Sequence, residues 1–436
     1  MIEHLDSWAS KGKWKPYPEY KDSGIEWLGR IPEHWKTARV VDHVDIISGY
    51  PFDSERFDLF EGFPLIRIRD LMSNGTSVFY NGEIVSEVLI KSGDIIISMD
   101  GDFNVARWKG EDAMLNQRLC CIRPQNTLEK GFLYYFLEFP LRMINEITYS
   151  TTVKHLSSDD VKKIKFYLPP FHEQTAIASF LDHEIVKIDA LVKKKEKFIQ
   201  LLEEKRTDLI SQAVTKGLDP NVPMKDSGVE WLGEIPEHWK SLKFRRVCRI
   251  QQGLQMAQSK RFYEPGPKRY EYITVKSFNA GDDYGSKEYV ENPSKRVICD
   301  PEDILLARTG ATGEVISGLH GVFHNNFFKI NYDRERVNRL YLIYYLSSTL
   351  IKEYLLLLAG TTTVPDLNHG DFLDTPFTAP DNDEQKKIII YLDQKTEKID
   401  NLILKINKAI EKLKEYRSAL INAAVTGKID VRGDAS

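Results

Sequence analysis

The stretch Lys21–Lys36, KDSGIEWLGRIPEHWK, recurs as Lys225–Lys240, KDSGVEWLGEIPEHWK, changed only at Ile25/Val229 and Arg30/Glu234. So close a match is beyond chance, and it makes the chain a tandem duplication. A second pair of segments matches downstream. Glu173-Gln174 and Glu384-Gln385 each open a long helical pattern, Phe180-Leu181-Asp182 answers Tyr391-Leu392-Asp393, and Ile188-Asp189 answers Ile399-Asp400. The pattern closes with Ala213-Val214-Thr215 and Ala424-Val425-Thr426.

Between these flanks the halves diverge in sequence but keep landmarks. Asp94-Ile95-Ile96-Ile97 aligns with Asp303-Ile304-Leu305-Leu306, Gly101 with Gly310, Asn116 with Asn325, and Thr151-Thr152-Val153 with Thr362-Thr363-Val364. Each half is therefore a variable domain followed by a helix. From Ile177 the apolar positions Ile177, Leu181, Ile188, Leu191, Phe198, Leu202 and Leu209 recur at heptad spacing, broken by Glu184, Lys195 and Lys205. The second set is cleaner: Ile388, Leu392, Ile399, Leu402, Ile406, Ala409, Leu413, Tyr416 and Leu420. Pro169-Pro170 and Pro380 stop the preceding domains, and Gly217 and Gly427 supply the permissive residue that ends each helix. Helices of about 40 residues span ~60 Å. With one apolar seam each they are expected to pack on each other as an antiparallel coiled coil.

The variable domains read as α+β, with strands expected at Leu65–Arg69 and Tyr272–Lys276. Alternation puts Ile66 and Ile68 on one face and Arg67 and Arg69 on the other. The apolar stretch Leu340–Leu358, interrupted by Tyr341, Lys352 and Glu353, reads as one buried amphipathic helix.

Composition sets limits. A chain of 436 residues holds two or three domains. No run approaches the ~18 apolar residues needed to cross a bilayer, and Met1–Ser10 has no apolar signal core, so a cytoplasmic protein is expected. Cys120, Cys121, Cys248 and Cys299 show no Cys-x-x-Cys spacing and read as reduced thiols, not a disulfide or zinc framework. The net charge of −4 lends nucleic-acid binding no support by itself, and local basic patches would have to do the work.

Three motifs imitate catalytic sites. Leu168-Pro169-Pro170-Phe171 has the proline-proline-aromatic turn of adenine methyltransferases, but Leu168 cannot accept hydrogen bonds from a target amino group. Gly310–Gly313 lacks the Gly-Lys-Ser/Thr ending of a phosphate loop. Pro365-Asp366 with Glu384-Gln385-Lys386 fits a loose nuclease pattern, yet the first half aligns Lys154-His155 and Glu173-Gln174-Thr175 there, and Glu384 opens a helix. His34 and His238 share the IPEHW setting, which reads as structural. No catalytic, cofactor-binding or metal-binding residues are assigned. What the residues leave open is whether two binding modules on a coiled coil read DNA or form a protein-binding scaffold.

The repeated SG(I/V)EWLG(R/E)IPEHW opening, the aspartate-aliphatic strand leading to Gly101 or to Arg308–Gly313, and the Glu-Gln helix ending Ala-Val-Thr resemble the specificity subunits of type I restriction-modification systems. The likeness covers nearly all of the chain after about residue 20. It implies two target-recognition domains, residues 21–170 and 218–380, each reading one half of a bipartite site in double-stranded DNA. It also implies spacer helices at 171–217 and 381–428 that hold modification subunits, two of them, with residues 1–20 an N-terminal extension and 429–436 a tail. Restriction subunits join that core. Methylation with S-adenosylmethionine and ATP- and magnesium-dependent cleavage belong to those partners.

Two rigid readers on a stiff spacer call for an interrupted site, its halves about one turn, ~34 Å, apart if read from one face. Since the readers differ, the halves should differ. Basic and amide side chains in turns at matched places are the candidate DNA contacts. In the first domain these are Arg67, Arg69, Arg107, Asn116, Gln117, Arg118 and Lys154. In the second they are Gln251, Gln252, Gln255, Lys260, Arg261, Lys276, Arg308, Thr309, Thr312, Asn325, Asn326, Thr361, Thr362 and Thr363.

Overall fold

The structure is a computed structural model, and it describes residues 14–24, 29–73, 75–147, 154–276, 287–360 and 365–433. The chain forms two compact units, residues 1–195 with 408–436, and residues 196–407. Each contains one variable domain and portions of two long helices. Those helices are Phe171–Lys216, of 46 residues, and Asn382–Val425, of 44.

In the first unit a four-stranded antiparallel sheet runs in the order Val105–Arg107, Ile95–Ser98, Leu119–Pro124, Val44–Ser48. A second sheet pairs Phe63–Ile66 parallel to Ala113–Leu115, with Leu89–Ile90 antiparallel on the far side. The second unit repeats both. Val315–Ile316, Ile304–Ala307, Phe327–Tyr332 and Cys248–Gln252 form the four-stranded sheet, and Arg269–Ile273 lies parallel to Gly321–Phe323. The aliphatic runs Ile95-Ile96-Ile97 and Ile304-Leu305-Leu306 are buried on both faces, so each is a central strand and not an alternating one.

Three sequence expectations are corrected here. The strand expected at Leu65–Arg69 ends at Ile66, and Ile68–Asp70 is a short 3-10 turn that Asp70 caps by accepting from the Arg67 backbone N–H at 3.1 Å. Its counterpart, expected at Tyr272–Lys276, begins three residues earlier, at Arg269, and ends at Ile273. Leu340–Leu358 is not one helix but two, Arg339–Ser347 and Thr349–Ala359, bent by 66°. Ser348, buried in extended backbone, makes the break and lets Tyr341, Tyr345, Ile351 and Leu355 all face the core. Among the described residues no single helix is long and apolar enough to cross a membrane.

The repeated residues are the joints. In the first unit the buried Glu173 carboxylate accepts from Trp35 Nε1 at 3.0 Å and Tyr17 Oη at 3.2 Å, and lies 2.6 Å from His34 Nε2. In the second, Glu384 accepts from Trp239 Nε1 at 3.2 Å and lies 2.7 Å from His238 Nε2. The neighbouring glutamines pin the domains. Gln174 Nε2 donates to Pro169 O at 2.9 Å and its Oε1 accepts from Glu129 N–H at 2.7 Å; Gln385 Nε2 donates to Pro380 O at 3.0 Å and its Oε1 accepts from Asn338 N–H at 2.8 Å. A buried amide with both ends satisfied fixes the start of the helix against its domain. Gly217 and Gly427, with φ of 77° and 70°, end the long helices in the left-handed conformation that their sequence positions imply.

Residues 14–20, which have no assignable repeat counterpart in sequence, have one in structure. Glu19 O accepts from Glu33 N–H at 3.0 Å as Pro223 O accepts from Glu237 N–H at 2.8 Å, and Tyr20–Asp22 pairs with Arg30–Pro32 as Met224–Asp226 pairs with Glu234–Pro236. Lys15 bridges Asp430, so this segment and the tail close the first unit together.

The apolar seams of the long helices are buried unevenly. Ile177, Leu181, Ile188, Leu202, Ile388, Leu392, Ile399 and Ile406 are buried, but Leu191, Phe198 and Leu402 are 48%, 46% and 38% exposed. All four cysteines are free and buried; burial pushes the Cys120, Cys121 and Cys248 thiols up to about 12 and that of Cys299 to about 11.

Candidate nucleic-acid interface

At the end of the four-stranded sheet of the first unit, three pieces of chain converge. Tyr50 bridges Asn116, its N–H donates to Leu115 O at 2.9 Å, and Gln117 N–H donates to Tyr50 O at 3.0 Å. Met99 N–H donates to Arg118 O at 2.9 Å, Gly101 N–H donates to Lys154 O at 3.2 Å, and Asp100 bridges His155. Gly49 makes the crossing possible, because a Cβ there would lie 2.0 Å from Asn116 O.

The second unit builds the same edge from different side chains. Leu254 bridges His324, Asn325 N–H donates to Leu254 O at 3.1 Å, and Arg308 N–H donates to Asn326 O at 2.8 Å. Leu367 N–H donates to Arg308 O at 2.9 Å and Thr309 bridges Asp366. A Cβ on Gly253 would lie 2.2 Å from Phe323 O. These bonds correct one landmark: Asn116 occupies the place of His324, so Gln117 answers Asn325 and Arg118 answers Asn326. The cause is one residue fewer between Arg308 and His324 than between Met99 and Asn116.

Charge at these edges is largely engaged within the chain. Arg67 donates through Nε to Asp70 at 3.2 Å and through Nη2 to Ser77 Oγ at 2.9 Å. Arg107 faces the first long helix, where it pairs with Asp182 at 3.0 Å and stacks over Tyr134 at 4.5 Å. Arg261 pairs with Glu288 at 2.8 Å and covers Tyr272, and Arg308 pairs with Asp366 at 2.6 Å. Lys154 Nζ donates to Asn145 O at 2.7 Å, and Gln251 Nε2 donates to the Arg296 carbonyl.

Thr312 Oγ1 donates to Arg308 O at 3.0 Å, and Thr309 is held half-buried in its bridge. Asn325 Nδ2 donates to Gln255 Oε1 at 3.3 Å, and Asn326 N–H to His324 Nδ1 at 3.0 Å. Burial first, and then the Arg261 charge, hold the His324 imidazole below its ordinary 6.5. The exposed candidates are Arg69, Gln117, Arg118, Gln252, Gln255, Lys260 and Lys276. Arg69 and Lys276 hold matched places, each following the strand that ends at Ile66 or Ile273. Thr361, Thr362 and Thr363 lie outside the described residues, as do Thr151–Val153.

Sequence reasoning missed Tyr50, Asp100, His155 and His324. The signal for Tyr50 was the alignment of Ser48-Gly49 with Gln252-Gly253, which places the same loop in both halves. The imitation motifs are absorbed by the joints: Pro169 accepts from Gln174, Glu384 grips Trp239, and Asp366 pairs with Arg308. Among the described residues no three His, Cys, Asp or Glu side chains are grouped to hold a metal ion.

The family model for the type I restriction modification DNA specificity domain matches residues 32–200 and again residues 236–412, one copy in each half of the duplication. The chain belongs to this specificity family. Among curated relatives, the Escherichia coli type I restriction enzyme EcoBI specificity subunit is 28% identical, over 94% of this chain and 90% of that protein. The MjaVIII specificity subunit of Methanocaldococcus jannaschii is 24% identical, over 92% and 95%. A solved structure concerned with complex assembly and conformational transition of the type I restriction-modification system superposes with a TM-score of 0.63 at 18% identity, covering 91% of this chain and 98% of that one. The HsdS subunit of Thermoanaerobacter tengcongensis gives 0.50 at 16%, covering 94% and 100%. These two likenesses show a shared fold, and the specificity family's two-copy architecture is the one built here.

Proposed function

We propose that this chain is the sequence-reading subunit of a type I restriction-modification complex and that each unit reads one half of an asymmetric, interrupted site in double-stranded DNA. The observation that carries this is the matched pair of edges: one backbone scaffold presents Tyr50, Asn116, Gln117 and Arg118 in one unit and Leu254, His324, Asn325 and Asn326 in the other. A fixed frame with changed side chains is what two different sequence readings require. In this reading Arg69, Arg118, Lys260 and Lys276 meet phosphate or guanine, and Gln117, Gln252, Gln255 and Asn325 meet base edges.

The recognition domains are assigned to residues 21–170 and 218–380, the spacer helices to 171–217 and 381–428. The helices are read as an antiparallel coiled coil that sets the spacing. Two ion pairs favour that register, Asp189 with Arg417 at 3.4 Å and Arg206 with Asp400 at 3.2 Å, since the higher-numbered residue on one helix meets the lower-numbered on the other. The exposed Val186, Leu191, Phe198 and Leu201 on one helix, and Ile390, Leu402 and Leu404 on the other, are the surface for two modification subunits. Methylation and cleavage then reside in the modification and restriction subunits, with this chain supplying the address in the cytoplasm.

The test is sequencing of adenine methylation in cells expressing a cognate methyltransferase with and without this chain. An interrupted two-part motif that depends on this chain is expected. An active, bound methyltransferase that methylates no such motif would refute the reading.

A further inference from the structure

Resting on that reading, we infer that Asp366 is a specificity residue of the second unit, accepting a hydrogen bond from the exocyclic amino group of a cytosine or adenine in the major groove. A carboxylate at a DNA-facing edge is repelled by phosphate unless its charge is balanced, and here it is. Arg308 Nη2 donates to Asp366 Oδ1 at 2.6 Å and lies 2.7 Å from Oδ2. The arginine lies beneath, with its side chain 15% exposed and its guanidinium over the Phe328 ring at 5.4 Å, while the Asp366 side chain is 55% exposed. An ionised carboxylate offers about four acceptor positions, so lone pairs remain on the open side after the guanidinium is served. Acceptors of that kind suit the amino hydrogens of cytosine N4 or adenine N6.

The carboxylate is also held still. Asp366 N–H donates to Ala359 O at 3.2 Å, Pro365 O accepts from Thr312 Oγ1 at 3.1 Å, and Leu367 N–H closes onto Arg308 O at 2.9 Å. Anchors on both sides of Asp366 fix its backbone beside the turn that carries Asn325 and Asn326, because Arg308 N–H binds Asn326 O at 2.8 Å. The first unit places an acid at the same bridge from the other side. Asp100 there lies 2.7 Å from His155 Nδ1 and 3.4 Å from Arg118 Nη1, but its side chain is only 16% exposed. Asp100 is thus covered by Arg118 and His155, whereas Asp366 stands in front of Arg308. The nuclease-like pattern around Asp366 in the sequence is in this view a recognition element.

The experiment is methylation sequencing of the whole complex carrying Asp366→Ala or Asp366→Asn beside the parent. With alanine, one base position in one half-site should lose discrimination by on the order of tenfold or more, the other half-site remaining intact. With asparagine, whose amide pairs an acceptor with a donor, a parent cytosine should give way to adenine and a parent adenine should be kept. A parent motif that persists unchanged in the alanine variant overturns the inference and leaves the DNA-reading function standing. So does loss of methylation at every sequence by an alanine variant that still co-purifies with its methyltransferase, because that is a structural defect and not a relaxed contact. Absence of any motif in the parent would instead refute the function itself.

Discussion

Replacing Glu173 by alanine should unfold the first unit's joint far more readily than Glu384→Ala affects the second. The Glu173 side chain is 2% exposed and receives the Trp35 indole and the Tyr17 hydroxyl, with His34 at 2.6 Å and Arg432 at 3.5 Å. Glu384 is 27% exposed and serves only His238 and Trp239 among the contacts described. A buried donor stripped of its acceptor costs roughly 1–3 kcal/mol. With buried Trp35 and Tyr17 both stripped, Glu173→Ala should cost about 3–5 kcal/mol. At Glu384 only one buried donor, the Trp239 indole, is stripped, and the partly exposed His238 stays open to water, so about 1–2 kcal/mol is expected. Urea unfolding of the full chain at fixed partner concentration gives the size of each loss, and hydrogen exchange of peptides from each unit gives its location. Equal losses, or a larger one for Glu384→Ala, would refute the assignment of Glu173 as the more deeply buried of the two joints.

Other outcomes follow from the same contacts. Gly49→Ala should abolish reading of one half-site and Gly253→Ala of the other, since each new Cβ meets backbone at 2.0 or 2.2 Å; methylation sequencing of each variant checks this. Burial raises the Asp94 carboxyl, but its bonds from Arg123 and the Lys91 N–H outweigh that and hold it below its ordinary 3.8. Its contribution to stability is therefore complete above the unfolded value near 3.8 and lost as pH falls through the lower folded value, so the stability gap between the parent and Asp94→Asn should narrow in acid denaturation below that pH. The four buried thiols should resist iodoacetamide in the native chain at neutral pH and all react in urea, as mass spectrometry would count.

The frame was legible in the sequence because its residues act locally or repeat. The Glu-Gln pairs, the Pro stops, Gly217 and Gly427 and the buried aliphatic strands each announce an element boundary or a core. The edge was less legible for a physical reason: a cation's availability depends on an acid elsewhere in the chain. Arg107 meets Asp182 across 75 positions, Arg308 meets Asp366 across 58, and Arg261 meets Glu288 across 27. Residue type marked these arginines as DNA contacts, whereas folding engages them in internal pairs. The one-residue slip between Asn116 and Asn325 was invisible for a related reason, since both halves carry an asparagine within one position of the same turn and only the backbone bonds reveal which residue fills which place.

If the two units read independently, exchange of one recognition domain should alter one half-site alone. The second domain, residues 218–380, is replaced by that of a relative with a different target, and adenine methylation is sequenced in cells that also express the methyltransferase. A new motif is expected in which one half-site is replaced while the other half-site is kept. A motif in which both halves change together, or neither does, would contradict independent reading.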